Sequence, residues 1–147
     1  MRIGKVLVVC VGNICRSPMA EAMLQHELKD KTDVSVTSAG LGSLAGHAAS
    51  KHAVELMEER GLDISGHKAR QLTPDMISDS DLILVMEAGH KRAIDDADAT
   101  ARGKVYRLCE WQGKDIDDPY RQPKAAFAGA LEDIKEGVAS WVEKIKA

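Results

Sequence analysis

The sequence lacks a long run of apolar residues. No run approaches the roughly 18 residues that a membrane-spanning helix needs. The first residues, Met1 to Ile3, lead directly into a predicted strand rather than into the apolar core of a signal peptide. We therefore expect no membrane insertion, and the sequence favours a cytoplasmic protein.

The sequence also lacks an excess of charge of either sign. Its 20 basic and 23 acidic residues give a formal charge of −3, and the two signs are interspersed along the chain. A protein that binds nucleic acid through phosphates needs a concentration of basic side chains, and this chain has no basic block. We therefore expect no nucleic-acid partner.

Cysteine is scarce, with three residues at positions 10, 15 and 109. The number is odd, and the spacing fits neither a disulfide framework nor a zinc site. Apart from His67, which is discussed below, the histidines show no ligand spacing either. We predict free thiols, no metal and no other cofactor. Cys109, which follows a predicted strand, is expected to be inert core.

The composition is that of one globular domain over residues 1–147, with 44% hydrophobic and 29% charged residues. No internal repeat, low-complexity tract or linker interrupts it, and residues 97–103 are predicted to form a surface loop. Short β-branched or apolar runs alternate with segments of helical periodicity. The predicted strands are Lys5–Cys10, Val34–Thr37, Asp81–Met86 and Lys104–Leu108.

The predicted helices follow these strands. The first has Ser17 as N-cap and Pro18 at its first position, and the second ends before Gly61. The others cover residues 88–95 and the apolar stripe Phe127, Leu131, Ile134, Val138, Trp141 and Ile145. The alternation predicts an α/β fold of three layers, α/β/α, in which a parallel sheet binds ligands beyond the carboxyl ends of its strands.

Cys10 lies at such an end, and the segment after it leads into a helix N-terminus. Inward-pointing N–H groups and the helix dipole suit an oxyanion there. Gly12 is expected to permit unusual backbone angles and Asn13 to tolerate the left-handed region, while Arg16 can donate two parallel hydrogen bonds to a phosphate. The same donors favour a thiolate, which makes Cys10 a candidate nucleophile, and Ser17 can donate a hydrogen bond to its sulfur. The predicted phosphate-binding loop comprises Val11, Gly12, Asn13, Ile14, Cys15 and Ser17.

The stretch VCVGNICRSPMAE resembles the signature of the low-molecular-weight protein tyrosine phosphatases, bacterial type. The same family carries Ser-Ala-Gly, His-Lys-Ala-Arg-Gln and Asp-Pro-Tyr segments in this order, which stand here at residues 38–40, 67–71 and 118–120. The resemblance thus spans nearly the whole chain. It implies a four-stranded parallel sheet in the flavodoxin-like order 2-1-3-4, with the phosphate loop between strand 1 and helix 1.

The resemblance also implies an activity, the hydrolysis of phosphotyrosine in proteins through a phosphocysteine intermediate, with inorganic phosphate as product. Cys10 is then the nucleophile, Arg16 holds the phosphate, and Asp118 is the general acid and later the general base. A carboxyl group is needed because the leaving oxygen must be protonated. From the residues alone, Asp115 and Asp117 compete with Asp118 for this role.

Further roles are implied by the family positions. Asn13, Ser17, Ser38 and His67 match a hydrogen-bond network that stiffens the loop, although spacing alone would make His67 an ordinary surface histidine. Leu44 and Tyr120 match the walls of the substrate crevice, although Tyr120 fits half-buried packing equally well. Cys15 matches a cysteine that forms a disulfide with the nucleophile after oxidation.

An aliphatic residue at the family position of Leu44 is typical of the bacterial class, which this chain resembles. The substrates of that class include autophosphorylating tyrosine kinases of exopolysaccharide and capsule assembly. Such a kinase is the implied partner, and the implied state is a monomer or weak dimer.

Three alternatives stay open. A phosphoarginine phosphatase of the same fold typically has threonine before the second loop cysteine, and Ile14 favours phosphotyrosine. An arsenate reductase of this fold relays oxidation through further cysteines, and none lies between Cys15 and Cys109. The third alternative is a non-catalytic module that binds phosphotyrosine or senses peroxide.

Overall fold

The computed structural model describes residues 2–147, and its centre is a parallel sheet of four strands in the order β2-β1-β3-β4. The strands are β1 Lys5–Cys10, β2 Ser35–Gly40, β3 Leu82–Val85 and β4 Val105–Arg107. The helices are α1 Arg16–Glu27, α2 Lys51–Glu59, α3 Pro74–Asp79, α4 Ala88–Ala97 and α5 Lys124–Lys146. The predicted three-layer α/β fold and its strand order are confirmed.

Helices cover both faces of the sheet because the central strands are apolar on both sides. In β1, Val6 and Val8 pack into a large core that includes residues of α1, α2 and α5. Leu7 and Val9 point the other way, into a smaller core that includes residues of α3 and α4. Successive side chains of a strand alternate between its faces, so an uninterrupted apolar run is what a sheet buried on both sides requires.

The register of the sheet brings the phosphate loop against the segment after β2. Cys10 pairs with Gly40, and the N–H groups of residues 41, 42 and 44 donate to the carbonyl groups of residues 10, 11 and 12 at 2.9, 3.0 and 3.1 Å. A Cβ atom at Gly40 would lie 2.5 Å from the carbonyl oxygen of Val11. Only glycine permits this close approach.

Helix α1 begins two residues earlier than predicted, because its N-cap is Cys15 and not Ser17. The Ser17 side chain faces the Cys10 sulfur and the Asn13 amide, and so does not cap the helix. Pro18 consequently lies inside the first turn. There it costs little, because the first N–H groups of a helix have no partner within that helix.

Helix α3 was not predicted. Its six residues are too few for a periodic apolar pattern, and one of them, Ile77, is buried. A local signal was present: Thr73 is the N-cap, its side chain accepts a hydrogen bond from the N–H of Met76, and Pro74 follows. The predicted loop at 97–103 contains a 3₁₀ turn at Ala99–Ala101 instead, because the Ala101 side chain is fully buried against the sheet.

The Asp81 carboxylate links the turn before β3 to the start of β1 through hydrogen bonds. Replacing Asp81 should therefore change how the free energy of unfolding depends on pH. Its Oδ2 accepts hydrogen bonds from the N–H groups of Gly4 and Lys5 at 2.9 and 2.8 Å, which hold the pKa of this carboxyl below its usual value. We expect Asp81→Asn to lower the free energy of unfolding by about 1 kcal/mol at neutral pH. Because the folded-state pKa is depressed, this stabilisation is present above the unfolded value of about 3.9 and is lost as pH falls through the folded value.

Urea denaturation at neutral and at acid pH measures this effect. The difference between wild type and Asp81→Asn should shrink in acid. Asp79→Asn is the matched control, because Asp79 is exposed and has no hydrogen-bond partner for its carboxylate in the described part of the chain. Equal stabilities of wild type and Asp81→Asn at neutral pH would contradict the prediction.

Candidate active site

The Cys10 side chain lies at the end of β1, 3% exposed, with its sulfur 2.9 Å from Ser17 Oγ. The chain coils around it from residue 11 to residue 15. Asn13 has φ 60° and adopts the left-handed region, as predicted. Gly12 does not have a positive φ, and a Cβ atom there would meet Leu44 at an ordinary 3.9 Å. The expectation of unusual backbone angles at Gly12 is therefore wrong, because the neighbouring Asn13 takes the left-handed position.

Asn13 holds the loop in this shape through both ends of its buried side chain. Its Nδ2 donates to Ser17 Oγ at 2.8 Å and to Ser38 Oγ at 3.0 Å, and its Oδ1 accepts from the N–H of Arg70 at 2.9 Å. Its carbonyl oxygen lies 2.7 Å from His67 Nε2. The structure thus brings Asn13, Ser17, Ser38 and His67 together in one network, which limits how far the loop can relax.

Arg16 is 1% exposed, and its guanidinium is fixed from behind. Its Nη1 donates to Glu87 Oε2 and to the carbonyl oxygen of Ile116, both at 2.6 Å. Its Nη2 lies 3.6 Å from Asp118 Oδ2, and its buried Nε–H has no partner among residues 2–147. One edge of the guanidinium is therefore anchored in the protein, while the Nε donor is available to an oxyanion.

Glu87 and His90 form the support behind this guanidinium. Glu87 is the residue before α4, and its Oε2 lies 3.5 Å from His90 Nε2. His90 is buried, and burial, then the charge of Arg16, hold its pKa below the usual value. The imidazole is consequently neutral at neutral pH and adds no second positive charge behind the site.

The pocket above Cys10 has a volume of about 150 Å³. It is lined by Cys10, Val11, Gly12, Ile14, Cys15, Arg16, Gly42, Leu44, Asp118 and Tyr120. The predicted nucleophile, phosphate-binding arginine, acid and both crevice walls therefore meet at one cavity. Tyr120 lines this pocket and is 40% exposed, so it is not a half-buried packing residue.

The three competing aspartates are separated by the structure. Asp118 lines the pocket, and its Oδ1 accepts from the N–H of Tyr120 at 3.1 Å. Asp115 instead accepts from the N–H of Ala88 at 2.9 Å and from Arg107 at 3.1 Å, outside the pocket. Asp117 is exposed and is not among the lining residues. Asp118 is therefore the acid that can reach a ligand above Cys10.

The three cysteines are unpaired and buried. Burial, and then the neighbouring Cys10, raise the pKa of the Cys15 thiol to about 12, so it is protonated at neutral pH. Cys109 donates to the carbonyl oxygen of Asp133 at 3.2 Å, and burial raises its pKa to about 11. Cys109 lies in the core, as predicted.

Within residues 2–147, no group of three or more His, Cys, Asp or Glu side chains is arranged to hold a metal ion. In the same part of the chain, no helix combines the length and the apolar character needed to cross a membrane.

Residues 5–147 match the family model for low molecular weight phosphotyrosine protein phosphatases. The chain belongs to this family. One relative of this phosphatase is the probable low molecular weight protein-tyrosine-phosphatase EpsP of Ralstonia nicotianae, 50% identical over 99% of this chain and 98% of EpsP.

Solved structures of the phosphatase family share the fold. Wzb of Vibrio vulnificus, in complex with benzylphosphonate, superposes with a TM-score of 0.90 at 44% identity and covers 97% of this chain and 99% of Wzb. The arginine phosphatase YwlE of Geobacillus stearothermophilus gives 0.89 at 33% identity, over 97% and 92% of the two chains. The fold is thus shared with an enzyme that is named an arginine phosphatase.

Sequence reasoning missed three residues around the site of this phosphatase. Glu87 and His90 support Arg16, and Arg70 contributes its N–H to Asn13 while its Nε donates to Ser38 O at 2.8 Å. Glu87 was detectable, because it follows the buried strand β3, whose carboxyl end lies beside that of β1. His90 carried no comparable signal. Arg70 belongs to the segment at residues 67–71 that resembles the family, but its contacts depend on the packing of separate segments, so the sequence assigned it no role.

Proposed function

We propose that the protein hydrolyses phosphotyrosine in proteins through a phosphocysteine intermediate. The observation that carries this proposal is the single pocket in which Cys10, Arg16 and Asp118 lie together between Leu44 and Tyr120. The membership of the chain in the phosphotyrosine phosphatase family supports it. In reaction class the protein is then a phosphoric monoester hydrolase.

In the first step the Cys10 sulfur attacks phosphorus. The bond between phosphorus and the tyrosine oxygen breaks, and its electron pair goes to that oxygen, which takes a proton from Asp118. The loop N–H groups and Arg16 bind the phosphoryl oxygens and stabilise the charge that they carry in the transition state. Because Asn13 and Glu87 already hold these donors in place, little reorganisation is needed.

In the second step Asp118 acts as the general base and Cys10 is the leaving group. Asp118, now a carboxylate, takes a proton from a water molecule, whose oxygen attacks phosphorus. The bond between sulfur and phosphorus breaks, and the electron pair returns to Cys10 as a thiolate. Ser17 Oγ, 2.9 Å from the sulfur, stabilises this leaving thiolate with its hydrogen bond, and inorganic phosphate is released.

The pocket lining favours an aryl substrate. Leu44, Ile14 and Tyr120 present apolar or aromatic surface to the ring. Ile14 has no hydroxyl group with which to bind a guanidinium, which argues against phosphoarginine.

A direct comparison of substrates tests the proposal. Two peptides that differ only at the phosphorylated residue, phosphotyrosine in one and phosphoarginine in the other, are incubated with the purified protein, and phosphate release is followed. We expect a higher kcat/KM for phosphotyrosine, and no reduction of arsenate in the presence of thioredoxin. Faster turnover of phosphoarginine would contradict the proposed substrate, and tight binding without phosphate release would contradict catalysis.

The remaining expectations stay predictions. They are the disulfide between Cys10 and Cys15 after oxidation, a tyrosine kinase of exopolysaccharide or capsule assembly as the phosphorylated partner, a monomer or weak dimer, and a cytoplasmic location. The position of Cys15 in the lining of the same pocket as Cys10 supports the first of these, because a cysteine near an oxidised nucleophile can trap it before further oxidation.

A further inference from the structure

Arg121 occupies an unusual position directly after the pocket wall. Among residues 2–147, the non-glycine residues with positive φ are Asn13 and Arg121, the latter at 63°. The N–H of Gln122 donates to the carbonyl oxygen of Pro119 at 2.9 Å, which makes Arg121 the third residue of a four-residue turn. Glycine or asparagine takes a positive φ at this turn position with less strain. A strained non-glycine residue beside a binding pocket is a reason to look for a function of its side chain.

The side chain is placed where it can act on a ligand. The Arg121 guanidinium carbon lies 5.2 Å from the centroid of the Tyr120 ring, and this ring lines the pocket. Arg121 is exposed and makes no ion pair with any carboxylate in the described part of the chain. Its positive charge therefore has no ion-pair partner there and lies beside Tyr120, a wall of the pocket that Arg121 itself does not line.

We propose that Arg121 is a specificity-determining residue that selects phosphotyrosine flanked by aspartate or glutamate. This inference rests on the proposed function, in which the phosphate lies on Cys10 and the ring lies beside Tyr120. The residues on either side of the phosphotyrosine then leave the pocket at its mouth, where the Arg121 guanidinium meets them. A carboxylate in that position forms a charge-assisted pair with Arg121.

The acidic residues near Arg121 in sequence form no ion pair with its guanidinium in the described residues. Asp118 is turned inward, with Oδ2 3.6 Å from Arg16, and Asp115 is hydrogen-bonded to Arg107 at 3.1 Å. Asp117 is exposed and makes no ion pair in the described residues, so it is the competing charge. If Asp117 dominated, basic flanking residues would be preferred instead.

The test uses two phosphotyrosine peptides that differ only in their flanking residues, glutamate in one and lysine in the other. Turnover is measured as kcat/KM, and affinity is measured separately with the Cys10→Ser variant. We expect the glutamate peptide to be preferred roughly fivefold in both measurements, an effect of the size of an exposed ion pair. The preference should decrease as salt is added.

Variants at position 121 identify the group responsible. Arg121→Lys should keep the preference, Arg121→Gly should abolish it while its thermal midpoint is unchanged or higher, and Arg121→Glu should reverse it. Arg60→Glu is the matched control, because Arg60 is exposed at the end of α2 and does not line the pocket. It makes the same change of net charge and should leave the preference intact.

Each outcome decides the proposal. A preference for the lysine peptide, equal affinities, or an Arg121→Glu variant that behaves like Arg60→Glu would overturn it. Absence of turnover with the binding preference retained would contradict the proposed hydrolysis while the role of Arg121 in recognition stands.

Discussion

The variant Cys10→Ser is expected to lose turnover of aryl phosphates by about 10⁶-fold, the scale seen when the nucleophile of another hydrolase is removed. Ser17 Oγ lies 2.9 Å from the Cys10 sulfur, and a serine hydroxyl at position 10 is a much weaker nucleophile than a thiol. Because serine is similar in shape to cysteine and position 10 is buried, the phosphate-binding loop should keep its conformation.

Two measurements separate chemistry from binding in this variant. Steady-state release of phosphate gives the loss of kcat/KM, and calorimetric titration with a phosphotyrosine peptide should show binding retained. The control is Cys109→Ser, which makes the same atomic change in the core, where a serine hydroxyl can still donate to the carbonyl oxygen of Asp133. Persistent turnover in Cys10→Ser would end the claim that this sulfur is the nucleophile.

The sheet and the location of the site could be predicted because the relevant signals are local. The strand β1 is an apolar run that is buried on both faces, and parallel sheets bind ligands beyond the carboxyl ends of their strands. Cys10, Asn13 and Arg16 lie within seven residues of one another, so their meeting needs little knowledge of the fold. The choice among the three aspartates depended on the family resemblance, and in the structure the lining of the pocket separates them.

What escaped prediction depends on distant segments. Arg16 and Glu87 are 71 positions apart, and Asn13 and Arg70 are 57 positions apart, so no local pattern connects them. The start of α1 was misplaced for a related reason: Ser17 has the chemistry of an N-cap, but its hydroxyl is used by the sulfur and by Asn13. Where a site residue satisfies a tertiary contact, its local preference is a poor guide.

Asp118→Asn is expected to slow the hydrolysis of a phosphotyrosine peptide by about 10² to 10⁴-fold, the usual contribution of a general acid. The asparagine Oδ1 can still accept the hydrogen bond that the N–H of Tyr120 gives to Asp118 at 3.1 Å, so the wall of the pocket should stay in place. The amide has no proton of suitable acidity to give to the leaving oxygen.

The dependence on the leaving group distinguishes proton transfer from a purely electrostatic effect of Asp118. A phenol of low pKa leaves without protonation, so the loss in Asp118→Asn should shrink along a series of aryl phosphates with increasingly acidic phenols. Asp117→Asn is the matched control, because it makes the same change one residue earlier, at a carboxylate that does not line the pocket. An equal loss for every leaving group would show that the carboxyl acts on the charge near Arg16, 3.6 Å from its Oδ2, and donates no proton.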